Sequence, residues 1–202
     1  MSTLRERRRR QTARELQETA IRLARERGGL DTVTTEMIAA EAGVSVRTFF
    51  NYFTNKEAAV VGDPPDFPQE AAARFVAGRG ALSADLKTLM QAHFARMAFS
   101  PALLRELLAL THAHPKVRRV HDGMLRDLRD RLAGLIEERL SSRDPWTVAL
   151  LATLTLEAGR LALDAWKDGE AAELGPALDR AWDTLTEVAS LVAPADPGAP
   201  GG

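Results

Sequence analysis

Apolar residues recur along this chain at intervals of three and four almost from end to end, the spacing of one helical face. Over 11–27, Ala13, Leu16, Ala20, Leu23 and Ala24 share a face, and Gly28-Gly29 stops the run. Thr34 is a suitable N-cap for a helix over 35–42, with Glu36 in the first turn, where the helix dipole favours a carboxylate. Gly43 breaks that helix; Ser45 caps a short third one and Asn55 a fourth, opening Lys56-Glu57. The prolines of VGDPPDFP (61–68) interrupt the pattern and mark a domain boundary. Further helices follow over 68–78, 84–99 behind Ser83, 101–113 behind Ser100, 115–140, 145–168 behind Asp144, and about 176–192. The tail PADPGAPGG is too rich in Pro and Gly to order itself. No strand alternation and no repeat is visible. The pattern predicts an all-α protein.

Composition narrows the class. The 202 residues are 45% hydrophobic and 27% charged, with no cysteine, as expected of a soluble intracellular chain without disulfides or thiolate metal sites. A basic start without an apolar run behind it gives no signal peptide. The most apolar stretch, 148–166, is broken by Glu157, Arg160 and Asp164, so no membrane span is expected and the cytoplasm is the expected location. The net charge of −1 conceals an asymmetry. Residues 1–62 hold 11 basic against 8 acidic residues, and the remainder 16 against 20. The cationic end is headed by RERRRR (5–10), with Arg7, Arg8, Arg9 and Arg10 in one run. An anionic partner, nucleic acid ahead of membrane, fits that run; so does a solubilising, frayed terminus.

The segment 45–57 separates these readings. On a helix, Val46, Phe49, Phe50 and Phe53 fall within an arc roughly 100° wide, while Arg47, Thr48, Asn51 and Tyr52 lie opposite. The rings anchor a very short helix, and the polar arc is held outward. A helix, the turn AGVS and a second short helix with such a face is a helix-turn-helix. Arg reads guanine O6 and N7, and Asn reads adenine N6 and N7, so the outward face has major-groove chemistry. Thr34-Thr35 and Asn55-Lys56 set donors at positive helix ends, where phosphates bind. The Tyr52 hydroxyl suits a phosphate, and the arginine-rich arm adds phosphate or minor-groove contacts. Two ordinary bundle helices with a solvated face would explain the polar arc but not these additional donors.

Residues 11–61 resemble the DNA-binding domain of the TetR/AcrR family of bacterial repressors. The stretch TARELQETAIRLARERG and then VTTEMIAAEAGVSVRTFFNYFTNKEAAV follows that family's T-x-x-x-IA-x-x-AGVS-x-x-T-[LF]-[YF]-x-[YH]-F-x-x-KE pattern over about a quarter of the chain. The resemblance implies phosphate contacts at Thr35, Thr48, Tyr52 and Lys56, and base reading at Val46, Arg47 and Asn51, with Thr34 and Ser45 at the same helix starts. Phe50 departs from it, standing where many members carry a phosphate-binding Tyr.

The family's order of elements implies DNA binding by 1–62, a helical effector-binding and dimerising domain over 63–193, and a disordered tail over 194–202. A homodimer would place two reading helices on a palindromic operator about one turn apart. Leu151 and Leu161, with Leu178, Trp182, Leu185 and Val188, are the interface candidates, unless these helices complete an intramolecular core. Phe75, Phe94, Met97, Leu104, Leu108, Met124, Leu128 and Leu154 are candidates for an apolar effector pocket, although such residues also build cores. Glu157 and Arg160 fit an i,i+3 ion pair or a ligand anchor equally well. The stretch THAHPKVRRVHDGMLRDLRDRLAGLIEERL resembles a mycofactocin-regulator-like subgroup, which implies an acyl-CoA-like effector. The expected function is therefore an effector-released repressor, with no metal and no cofactor: His93, His112, His114 and His121 lack ligand spacing. An effector-independent architectural DNA binder leaves some 130 apolar helical residues unexplained. An all-helical enzyme lacks any GxxxxGK[ST], HExxH or GxSxG motif.

Overall fold

The computed structural model describes residues 4–63, 66–97, 100–141 and 144–192, and for Glu6 the backbone alone. Within them the chain forms ten α-helices and no strand. They are α1 (Leu4–Glu26), α2 (Thr35–Glu41), α3 (Val46–Phe50), α4 (Lys56–Val61), α5 (Gln69–Ala77), α6 (Leu82–Phe94), α7 (Pro101–Ala113), α8 (Pro115–Leu140), α9 (Pro145–Lys167) and α10 (Leu174–Val192). The tail 194–202 and residues 64–65 of the proline-rich break lie outside the described residues. The caps expected from sequence form at Thr34, Ser45, Asn55, Ser100 and Asp144, each side chain accepting from a backbone N–H three residues on. Ser83 is not a cap, because α6 already begins at Leu82. A single 3-10 turn, Leu30–Thr32, falls between α1 and α2, where the pattern gave only a loop.

The chain gathers into two compact units, Met1–Pro68 with Ala95–Arg131, and Gln69–Phe94 with Leu132–Gly202. The first has a continuous core of Leu16, Ile21, Leu30, Ile38 and Phe49, which Leu107 of α7 and Val117 of α8 complete. Leu107 and Val117 thus share one apolar core with the helices of the helix-turn-helix. At the turn between α2 and α3, Gly43 takes φ +68, a left-handed conformation that a side chain would strain. Gly62 closes α4 with φ +79 beside the Gln17 amide, where an added Cβ would come within 2.5 Å of Nε2. Gln17 Nε2 donates to the carbonyls of Val60 and Val61 at 3.1 and 2.9 Å, so a buried amide satisfies the last carbonyls of α4.

In the second unit α9 turns its small residues inward. Val148, Ala152, Thr155, Ala158, Gly159 and Ala162 are buried, spaced at three and four along one face. A Cβ at Gly159 would stand 2.8 Å from the Phe94 ring, so its absence lets α6 approach. α10 packs along α9, burying Ala177, Leu178 and Trp182. Arg139 donates to Asp85 Oδ2 at 2.7 Å and to the Gly80 carbonyl at 3.2 Å, tying the end of α8 to the α5–α6 connection.

Candidate nucleic-acid interface

α3 is five residues long and cannot be stable alone, so its presentation depends on what holds it. Ser45 Oγ accepts from Thr48 N–H at 3.0 Å and lies 2.8 Å from Thr48 Oγ1, which fixes both hydroxyls at the helix start. Phe49 is fully buried, with Phe53 packed on it at 6.1 Å between ring centroids. Arg47 and Asn51 are exposed, and Thr48 and Tyr52 are half-buried, so the expected polar face is outward. One expectation changes. Phe50 is not part of the inner arc: it is 52% exposed, edge-on to Phe49 at 5.4 Å, at the last residue of α3. Val46 is half-buried against the core, on the inner arc where the pattern placed it.

The arginine-rich start is not an arm preceding the first helix. α1 begins at Leu4 and runs unbroken through RERRRR. Arg5, Arg8 and Arg9, with Leu4 and Thr12, line an open concavity of about 600 Å³ whose other wall is Thr48, Asn51 and Tyr52. The Arg9 guanidinium lies over the Tyr52 ring, 5.2 Å from its centroid. Arg7 and Arg10 are exposed but do not line the concavity. Arg5 was missing from the expected set, although its spacing of three, four and seven from Arg8, Arg9 and Thr12 puts it on their face.

The outer donors are partly engaged. Lys56 Nζ donates to the carbonyls of Leu30 and Val33 at 2.8 and 2.9 Å, so its ammonium fastens the 3-10 turn that leads into α2. On the same turn, Leu30 N–H reaches His114 Nε2 at 3.4 Å. At the start of α2, Glu36 occupies the donor-rich end. Its own backbone N–H, then the hydroxyls of Thr34 and Thr35, hold its carboxyl below the usual range. A carboxylate from the chain itself is thus favoured at this helix end.

The remaining sequence candidates separate. Met97, Leu104, Leu108, Met124 and Leu128 belong to the first unit, where Met124 packs against the core. Phe75 and Phe94 are buried in the second unit. Leu154, Glu157 and Arg160 are exposed on α9. Arg160 is paired with Glu157 at 2.6 Å and with Asp164, so the ion-pair reading describes it. Leu178 and Trp182 are buried, Trp182 to 4% exposure, on the helix that packs along α9 within the same chain. Leu151 and Leu185 are half-buried, and Leu161 and Val188 exposed. Other exposed apolar residues of the two helices are Trp146 at 78%, Leu150 at 59%, and Leu191 and Val192. Among the described residues α9 alone is long and apolar enough to cross a membrane, yet Glu157, Arg160 and Asp164 stand on it.

A capped short helix after a left-handed Gly turn, with a guanidinium and an amide outward, defines a helix-turn-helix DNA-binding domain followed by a helical region. Residues 16–60 match the family model described as bacterial regulatory proteins, tetR family. The match indicates a DNA-binding transcriptional regulator. No curated protein matches the chain.

Proposed function

We propose that the protein is a cytoplasmic, homodimeric repressor that binds a palindromic DNA operator and leaves it when an apolar effector binds. The observation that carries the reading is the outward pair Arg47 and Asn51 on a helix locked by Ser45 and Phe49. In this reading 1–62 engages DNA, 63–193 dimerises and takes the effector, and 194–202 is a tail. Thr48 and Tyr52 take phosphates, Arg47 and Asn51 read bases, and Val46 flanks them. Lys56 and the Thr34-Thr35 end act mainly by holding α2 in place.

Dimerisation is supported by α9. Its inward face is small, whereas Trp146, Leu150, Leu154 and Leu161 form an exposed stripe on the opposite side. Val188, Leu191 and Val192 add exposed apolar surface on α10. Large exposed apolar side chains grouped on one helix face are often covered by a partner, and a two-fold contact would cover these. The effector class rests on the apolar helices of the second half and on the subgroup resemblance: an acyl-CoA, its chain among the C-terminal helices. Release by a factor of a hundred requires about 2.7 kcal/mol of differential affinity between the two states. The test is duplex binding by the full chain in the presence of acyl-CoAs of increasing chain length and of free CoA. Longer chains are expected to release operator and free CoA is not. Unchanged DNA affinity and melting temperature across the series would reject the effector class while leaving DNA binding standing.

A further inference from the structure

The first two turns of α1 carry five arginines among the seven residues 4–10. Such a helix start is unfavourable in isolation. Cations at the N-terminal end oppose the helix dipole, and like charges three and four apart on a helix repel. Among the described side chains no carboxylate pairs with Arg5, Arg8 or Arg9. Yet the helix is continuous from Leu4, and its Arg5, Arg8, Arg9, Thr12 face closes a concavity with Thr48, Asn51 and Tyr52. Arg9 on the Tyr52 ring joins the two walls.

Resting on the DNA-binding reading, we infer that this concavity is a seat for the phosphodiester backbone beside the reading helix, and that the arginine-rich segment acts as a helix rather than as an arm inserted in the minor groove. Dimensions decide between the two. An α-helix with its side chains is about 10–12 Å across, and the minor groove of B-DNA is about 6 Å wide. A helical segment can therefore only lie along the backbone or in the major groove, and α3 holds the latter position. Arg5, Arg8 and Arg9 supply planar donors that match phosphate oxygens, while Thr48 and Tyr52 supply hydroxyls from the opposite wall. The Arg9 guanidinium already rests over the Tyr52 ring before DNA arrives, which lowers the ordering cost of that contact. An anion in the seat also cancels the repulsion that weakens the start of α1, so DNA binding firms the helix.

The test compares two charge-matched variants of the full chain, Arg8→Ala/Arg9→Ala and Arg7→Ala/Arg10→Ala. Each removes two cations from the same two turns, but only the first pair faces the seat. The first should weaken duplex binding at least about tenfold more than the second and flatten the log affinity–log salt slope by about 2. Hydrogen exchange at residues 4–10 should slow when duplex is added. Equal losses in the two variants would overturn the seat in favour of diffuse attraction. Faster exchange at 4–10 on DNA, with losses confined to A·T-rich flanks, would overturn it in favour of an unwound minor-groove arm. Either result leaves DNA binding intact; a wild-type chain with no salt-dependent duplex affinity would instead sink the reading on which the seat rests.

Discussion

The reading unit and the α9–α10 pair solve the burial problem in opposite ways. Around α3 the large side chains go inward, Phe49 to complete burial, and what remains outside is charged or hydrogen-bonding. On α9 the small residues go inward and a Trp and three leucines stay out. A polar face held rigidly by an apolar core is arranged to meet a hydrated polyanion. A large apolar face on a helix already packed from behind is arranged to meet another apolar surface. The same amphipathic periodicity builds both. The size of the residues on the buried face decides which way each helix spends its bulk.

The sharpest way to break this comparison is to place the same charge on the two faces of the α9–α10 pair. Trp182→Arg buries an unpaired guanidinium where the indole is 4% exposed, and should destabilise the second unit by about 3–5 kcal/mol. Its helical signal should melt earlier whatever the protein concentration. Leu161→Arg, on the exposed stripe, should alter the fold by no more than about 0.5 kcal/mol but shift sedimentation from dimer to monomer and weaken operator binding. If the two variants behaved alike, the inward–outward division of the pair would be wrong.

A smaller effect separates reading from support within the first unit. Arg47→Ala should cost about 1–3 kcal/mol on operator and relax preference at one base pair per half-site. Lys56→Ala removes two ammonium hydrogen bonds to the Leu30 and Val33 carbonyls and should destabilise the unit by about 1–2 kcal/mol. It should weaken all duplexes alike, and local exchange at the 3-10 turn should rise. Loss of sequence preference in Lys56→Ala with an unchanged melting point would reverse these roles.

Much of this was legible in the sequence because short-range signals were strong. Thr34, Ser45, Asn55, Ser100 and Asp144 announce helix starts, and Gly43 announces the turn, since each acts within three or four residues of itself. The misplaced residues depend on what the rest of the chain supplies. Phe50 shares an arc with Phe49, but Phe53, beyond the end of α3, is the ring buried beside Phe49. Trp182 and Leu161 both read as apolar positions of terminal helices; only the packing of α10 on α9 shows which is covered. Lys56 reads as a free cation at a helix start until the 3-10 turn brings two carbonyls to it. The helical state of RERRRR runs against local electrostatics, and no periodicity argument from 11–27 reached it.

The smallest effect concerns Glu36. Its carboxyl is shifted below its ordinary value, first by its own backbone N–H, which favours a negative charge at the start of α2. Sign follows from the direction of the shift: a depressed carboxylate stabilises the fold above its unfolded value, and that contribution is lost as pH falls through the folded one. Between pH 6 and 8, about, duplex affinity should not change on its account. Glu36→Gln should raise affinity for any duplex by a factor on the order of two, by removing repulsion from phosphate. A fall in affinity would show that Glu36 matters as a cap and not as a charge.

The most direct test of the central claim is selection of duplexes bound by the full chain from a random pool, with the selected sequence then titrated in the analytical ultracentrifuge. Two inverted half-sites centred about 34–36 Å apart, or a multiple of that spacing, should emerge, bound by a dimer. Enrichment of no sequence, or binding of a single half-site by a monomer, would contradict it.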